Sequence, residues 1–127
     1  MKPPEIKIVK PTNCHLWTDQ PIRPEDLGFL KRKAVYMDDI HLIRALMECS
    51  LCGQKYYYEF LEEVDWENGN DAQYRTYIPI EGDAATIEAL NQMSSTQLLA
   101  LTPRLQDDWG KDDPVKPDRI IWIGFKE

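Results

Sequence analysis

Two cysteines three positions apart, Cys49 and Cys52, followed at once by Gly53, constrain this chain more than any other feature. Thiolates at that spacing can hold one tetrahedral metal ion, with the backbone between them folded back so that its N–H groups point at the sulfurs. Gly53 supplies the positive φ that such a turn often needs. The residues that follow are strand-like, so the stretch from Glu48 to Ile80 predicts a sulfur-bearing knuckle leading into a β-hairpin with an acidic tip.

The alternation after the knuckle is period two. Tyr56, Tyr58, Phe60, Val64 and Trp66 share one face, broken by Glu62, while Lys55, Tyr57, Glu59, Leu61, Glu63 and Asp65 share the other. Aromatic and β-branched enrichment predicts a strand with the first face on the core and the second in solvent. Glu62, an acid on the aromatic face, is expected to be either paired, with Arg75 or Arg44 the candidates, or raised in pKa. Asn68-Gly69 is a two-residue turn signal. Tyr74, Thr76, Ile78 and Ile80 then alternate with Arg75 and Tyr77, and Pro79 places the end of that strand at an edge.

Elsewhere the signals are shorter. Ile6 and Ile8 suggest a short strand, and Pro24 to Leu30 one helical turn with proline first and acids behind it. Lys31-Arg32-Lys33 reads as a solvated basic loop. Residues 38–48 fit either a helix or a strand, and a strand from His41 to Glu48 is preferred because a knuckle is most simply the turn between two strands. Asp83 can cap a helix to Asn91, and Ser94 or Ser95 a second that Pro103 ends. Residues 107–118 read as a polar loop, and Arg119 to Phe125 as a short buried strand. The expected fold is α+β in one domain, with knuckle and hairpin over 41–80, a helical segment over 83–102 and a C-terminal strand over 119–125.

A closed zinc site needs two ligands beyond the knuckle. Cys14 lies 35 positions before Cys49 and is the natural third. Pro11 stands where a second knuckle would have its first cysteine, so His15 or His41 is left as the fourth. Neighbours in extended chain point to opposite sides, so Cys14 and His15 share an ion only if the backbone bends there. The expected set is Cys14, His15, Cys49 and Cys52 around a structural Zn²⁺. Free packed cysteines and a Cys49/Cys52 redox pair are the alternatives. The oxygen-rich tip from Asp65 to Asp71 does not match the spacing of a calcium loop.

Charge narrows the partners. The chain of 127 residues has a net charge of −7, and residues 54–83 hold eight Asp/Glu against two Lys/Arg. That balance argues against binding a phosphate backbone and suits a basic protein. Tyr57, Glu59, Glu63, Asp65, Glu67, Asp71 and Tyr77 are the expected contact residues. No apolar run approaches the ~20 residues that span a bilayer, and the charged N-terminus does not read as a signal peptide. Together with an odd cysteine count, this predicts a cytoplasmic protein without a disulfide framework. No phosphate loop, nucleophile elbow or His-x-Glu arrangement points to an enzyme.

The run Glu48-Cys-Ser-Leu-Cys-Gly-Gln-Lys-Tyr-Tyr-Tyr-Glu-Phe60, with Asp65-Trp66 and Gly69-Asn-Asp71 downstream, resembles a group of small bacterial proteins. These carry a Cys-x-x-Cys-Gly-Gln knuckle before an aromatic, acidic strand. The resemblance covers about a third of the chain and implies a zinc-ribbon-like element and a bacterial origin, not an activity. The expected function is a non-enzymatic protein-binding module with a structural metal. Its most concrete form is an immunity protein or antitoxin that neutralises a basic toxin. A metal-dependent or dithiol enzyme using Cys49 and Cys52, and an accessory subunit of a nucleic-acid machine, are the competing expectations.

Overall fold

The structure is a computed structural model and describes residues 6–64, 66–69, 71–110, 116 and 120–125. A 3-10 helix at Pro24–Phe29 leads into β1 (Leu30–Asp38) and β2 (Leu42–Cys49). Then come β3 (Lys55–Glu63), β4 (Ala72–Ile80), α1 (Ala84–Asn91), α2 (Ser95–Leu98), β5 (Arg104–Trp109) and β6 (Ile120–Ile123). The six strands form one antiparallel sheet in sequence order, each paired with its neighbour in the chain. This is an α+β arrangement, with the helices inserted between β4 and β5.

Both faces of the sheet are covered, which decides where the site residues lie. One face carries Ala45, Cys49, Tyr56, Tyr58, Tyr77, Leu105, Ile120 and Trp122, and the N-terminal arm lays Cys14, Leu16 and Ile22 against them. Burying Leu16 and Ile22 stabilises the arm by roughly 1.5–3 kcal/mol each. The Trp122 indole N–H adds a hydrogen bond to the Leu16 carbonyl, and Trp17 packs edge-on against the Trp122 ring at 4.8 Å. The other face carries Tyr57, Ile78 and Ile80, and the helices cover it with Leu90 and Leu98. Asp83 and Ser94 cap the two helices through their side chains, as their positions predict.

Several expectations need correction. Lys31-Arg32-Lys33 is not a loop but the start of β1, an edge strand with two register shifts. Asp107 to Trp109 are the end of strand β5 (Arg104–Trp109) rather than the beginning of a polar loop. The last strand is not fully buried: β6 alternates, with Ile120 and Trp122 inside and Ile121 exposed. Asn68-Gly69 does not close a two-residue hairpin, since β3 ends at Glu63 and β4 begins at Ala72, although Gly69 does take a positive φ of 70°. Pro79 sits in an interior strand, but β5 pairs with β4 only as far as Tyr77, so the ladder is locally open there. The arm fills that gap through the Ile8–Ile80 bridge and a hydrogen bond from the Val9 N–H to the Pro79 carbonyl.

Candidate metal centre

The β2–β3 connection and the N-terminal arm bring the sulfurs together. The β2–β3 ladder runs to the pair Glu48–Lys55, leaving Cys49 to Gln54 to turn the chain. The Gly53 N–H bonds the Cys49 carbonyl at 2.8 Å, and the Cys49 N–H bonds the Gln54 carbonyl at 2.8 Å. Gly53 has φ of 81°, the left-handed conformation expected of it. The N–H groups of Leu51 and Cys52 point back at the Cys49 sulfur. On the arm, the Cys14 N–H bonds the Pro11 carbonyl at 2.9 Å and the Leu16 N–H turns to the Cys14 sulfur. That bend lets neighbours Cys14 and His15 face the same point.

Among the described residues, Cys14 Sγ, His15 Nδ1 and Cys49 Sγ form one cluster of donors lying within 4.8 Å of one another. Nδ1 is 3.7 Å from Cys49 Sγ and 4.0 Å from Cys14 Sγ. Zinc bonds of about 2.3 Å to sulfur and 2.0–2.1 Å to nitrogen imply about 3.5 Å between such donors in a tetrahedron. The two nitrogen–sulfur distances therefore exceed those of a loaded site by only a few tenths of an ångström. The Cys52 thiol lies near enough to Cys14 and Cys49 to act on both and stands on the exposed side. These four residues are close enough to hold a metal ion.

The tautomer of His15 suits a ligand. Its Nε2 is 2.9 Å from the Asp26 carbonyl oxygen, which can only accept, so Nε2 carries the proton and Nδ1 offers its lone pair to the sulfurs. Phe29 packs edge-on to the ring at 5.2 Å and fixes its plane. The sulfurs differ electrostatically. Burial pushes the Cys14 thiol up to about 12. Burial acts the same way on Cys49, but the two backbone N–H groups and the neighbouring thiols outweigh it and hold that thiol below its usual value.

His41 does not belong to this site. It lies at the far end of the sheet, where its Nδ1 meets Glu62 at 2.9 Å, and Gln73 donates to the other Glu62 oxygen at 3.0 Å. The Gln73 and His41 bonds hold the Glu62 carboxyl below the usual range, so its partners are these two rather than the expected arginines: Arg75 acts on it only through its charge and Arg44 pairs with Glu59.

The expected contact surface divides. Tyr57, Glu59 and Tyr77 are buried, because the face assigned to solvent lies under α1 and α2 and Tyr77 lies on the arm face. Tyr57 donates to Asn91 Oδ1 at 2.5 Å, Glu59 pairs with Arg44 at 2.9 Å, and Tyr77 packs on Tyr58 with ring centres 5.0 Å apart. Glu63 and Glu67 are exposed and Asp71 is half-buried, while Asp65 lies outside the described residues. Sequence reasoning missed Asp26 behind His15 and Tyr56 beside Cys14, and Ile40 and Trp66, which are 81% and 87% exposed at the opposite end.

Comparison with protein-family models, with curated proteins and with solved structures finds no match to this chain. No helix of the described residues is long and apolar enough to cross a membrane.

Proposed function

We propose that this protein is a non-enzymatic protein-binding module. In this reading a structural Zn²⁺ on Cys14, His15, Cys49 and Cys52 fastens the N-terminal arm to the sheet, as in a zinc ribbon, and the opposite end of the sheet meets a basic protein. The observation that carries the binding role is the placement of charge. Residues 38–43 and 61–74, which hold the β1–β2 and β3–β4 turns, contain seven Asp/Glu and no Lys or Arg. The rest of the sequence, with 15 acids and 15 bases, is neutral, so these two stretches carry the net charge of −7, and their described acids lie at the end away from the sulfurs.

That end also exposes Ile40 and Trp66, large apolar side chains of the kind that anchor interfaces once a charged field has drawn the partner in. Neutralising a cationic toxin, in the manner of an immunity protein, is the most concrete form of this role. The contact residues become Ile40, Glu63, Trp66 and Glu67, with Asp38, Asp39 and Asp71 around them. Capture of partners from the native host at low and at high salt tests the reading. A cationic partner that is retained at low salt and lost as salt screens the acids supports it. A partner held equally well at both, or one that ignores Trp66→Ala, overturns it.

A further inference from the structure

Tyr56 is the buried group beside the sulfurs that the fold leaves without a use. Its side chain is wholly buried on the arm face of β3, and its hydroxyl makes no hydrogen bond of good geometry with any described group. A buried hydroxyl without an acceptor costs folding free energy, so a reason for keeping it is wanted. The group it faces is the Cys14 sulfur, with Cys49 and Cys52 also near enough to act on it electrostatically. A neutral thiol is a weak acceptor, whereas a metal-bound thiolate is a good one.

The rest of the shell is already furnished. Cys49 receives the Leu51 and Cys52 N–H groups, His15 is held by the Asp26 carbonyl, and Cys14 receives the Leu16 N–H. Three thiolates and one neutral imidazole around a divalent ion leave the centre with an excess negative charge, and Cys14 is the sulfur donor beside the tyrosine.

We infer that Tyr56 is the outer-shell donor of this centre, its hydroxyl hydrogen-bonding the Cys14 thiolate of the metal-loaded state and orienting that sulfur toward a soft, tetrahedral divalent ion completed by Cys52. The inference rests on the proposal above that the four residues bind metal. Tyr56 is thus a positioning residue, and it has one signature that a packing residue lacks. Removing its oxygen weakens the loaded protein without weakening the apo protein.

The experiment uses the full chain, stripped of metal under reducing conditions and titrated with Co²⁺, then with Zn²⁺ in competition. Uptake of one ion with the intense visible absorption of tetrahedral, thiolate-bound cobalt supports the metal reading, and no uptake by the wild type overturns that reading and this inference together. With uptake in hand, Tyr56→Phe is expected to bind Zn²⁺ about 10–100-fold more weakly, while its apo form unfolds at the same or a higher denaturant concentration than apo wild type. Unchanged zinc affinity, or equal destabilisation of both forms, overturns the outer-shell role and leaves the metal site standing. A measurement on the wild type needs no variant: the Tyr56 hydroxyl proton should give an exchange-protected NMR signal in the loaded protein and none in the apo protein. Its absence from the loaded form also overturns the role.

Discussion

Arg44 and Glu59 stand opposite each other on β2 and β3 and form a buried ion pair, with both Nε and one terminal nitrogen of the guanidinium within 3.0 Å of the same carboxylate oxygen. The guanidinium also donates to the Leu90 and Asn91 carbonyls at the C-terminal end of α1, and Ser95 donates to the carboxylate. The pair therefore ties the sheet to both helices. Arg44→Ala leaves Glu59 charged, buried and short of its main partner, a change expected to cost about 3–5 kcal/mol. Replacing both by apolar residues of similar volume, Arg44→Met with Glu59→Leu, should recover most of that loss. Urea unfolding of the two variants checks this, and a single variant that loses almost nothing would show the pair to be dispensable.

Metal should stabilise the fold without being its sole support. With free Zn²⁺ at a thousand times its Kd, linkage contributes about 4 kcal/mol to the loaded state. Leu16 and Ile22 stay buried either way, so chelation should loosen the turn at Cys14 and His15 rather than release the whole arm. Thermal unfolding with and without chelator, repeated on Cys14→Ser, gives the check: the zinc-dependent shift should disappear in that variant. Because thiolates and the neutral imidazole compete with protons, the same shift should shrink as pH falls.

Trp66 is nearly free of intramolecular packing. Trp66→Ala should therefore leave unfolding within about 0.5 kcal/mol of wild type. Its affinity for a captured cationic partner should fall by about 2 kcal/mol or more. Calorimetric titration of wild type and variant measures both the affinity and, on reversing Glu63 and Glu67 to lysine, the salt dependence.

Asp108 gives the pH dependence. Burial, with Asp107 close by, raises its carboxyl above the usual value even though Gln106 donates to it at 2.7 Å. A raised carboxyl in the fold means that ionisation is easier in the unfolded chain. Its cost is absent below the unfolded pKa, grows as pH rises through that value, and is complete above the folded one. Asp108→Asn, which keeps an acceptor for Gln106, should be more stable than wild type at neutral pH and equal to it in strong acid. Denaturation midpoints across that range decide the point; a gain that persists in acid would contradict the assignment.

How much of this was legible beforehand depends on whether the deciding contacts were local. Cys49, Cys52 and Gly53 form a turn within six residues, and the strands on either side of it follow from their alternation. The convergence of His15 was harder, because it depends on the bend that the Pro11 carbonyl stabilises. β1 was lost because Lys31, Arg32 and Lys33 belong to an exposed edge, where a strand needs no apolar face. The alternation sends Tyr57 and Glu59 to solvent because nothing in β3 announces that α1 and α2, more than twenty residues later, cover that face. Yet one signal was present. Glu48 pairs with Lys55 across the cysteine turn, and stepping back four residues on one side and forward four on the other joins Arg44 to Glu59.

The sheet zips up between neighbours in sequence, so each hairpin can assemble as soon as its two strands leave the ribosome. The arm cannot follow that order. Trp122 and Leu16 are 106 positions apart, and Ile22 must wait for Ile120 before its bridge exists. The arm is thus locked only after strands that follow it in the chain, and Cys14 and Cys49, 35 positions apart, are a nearer pair in sequence than either of those contacts.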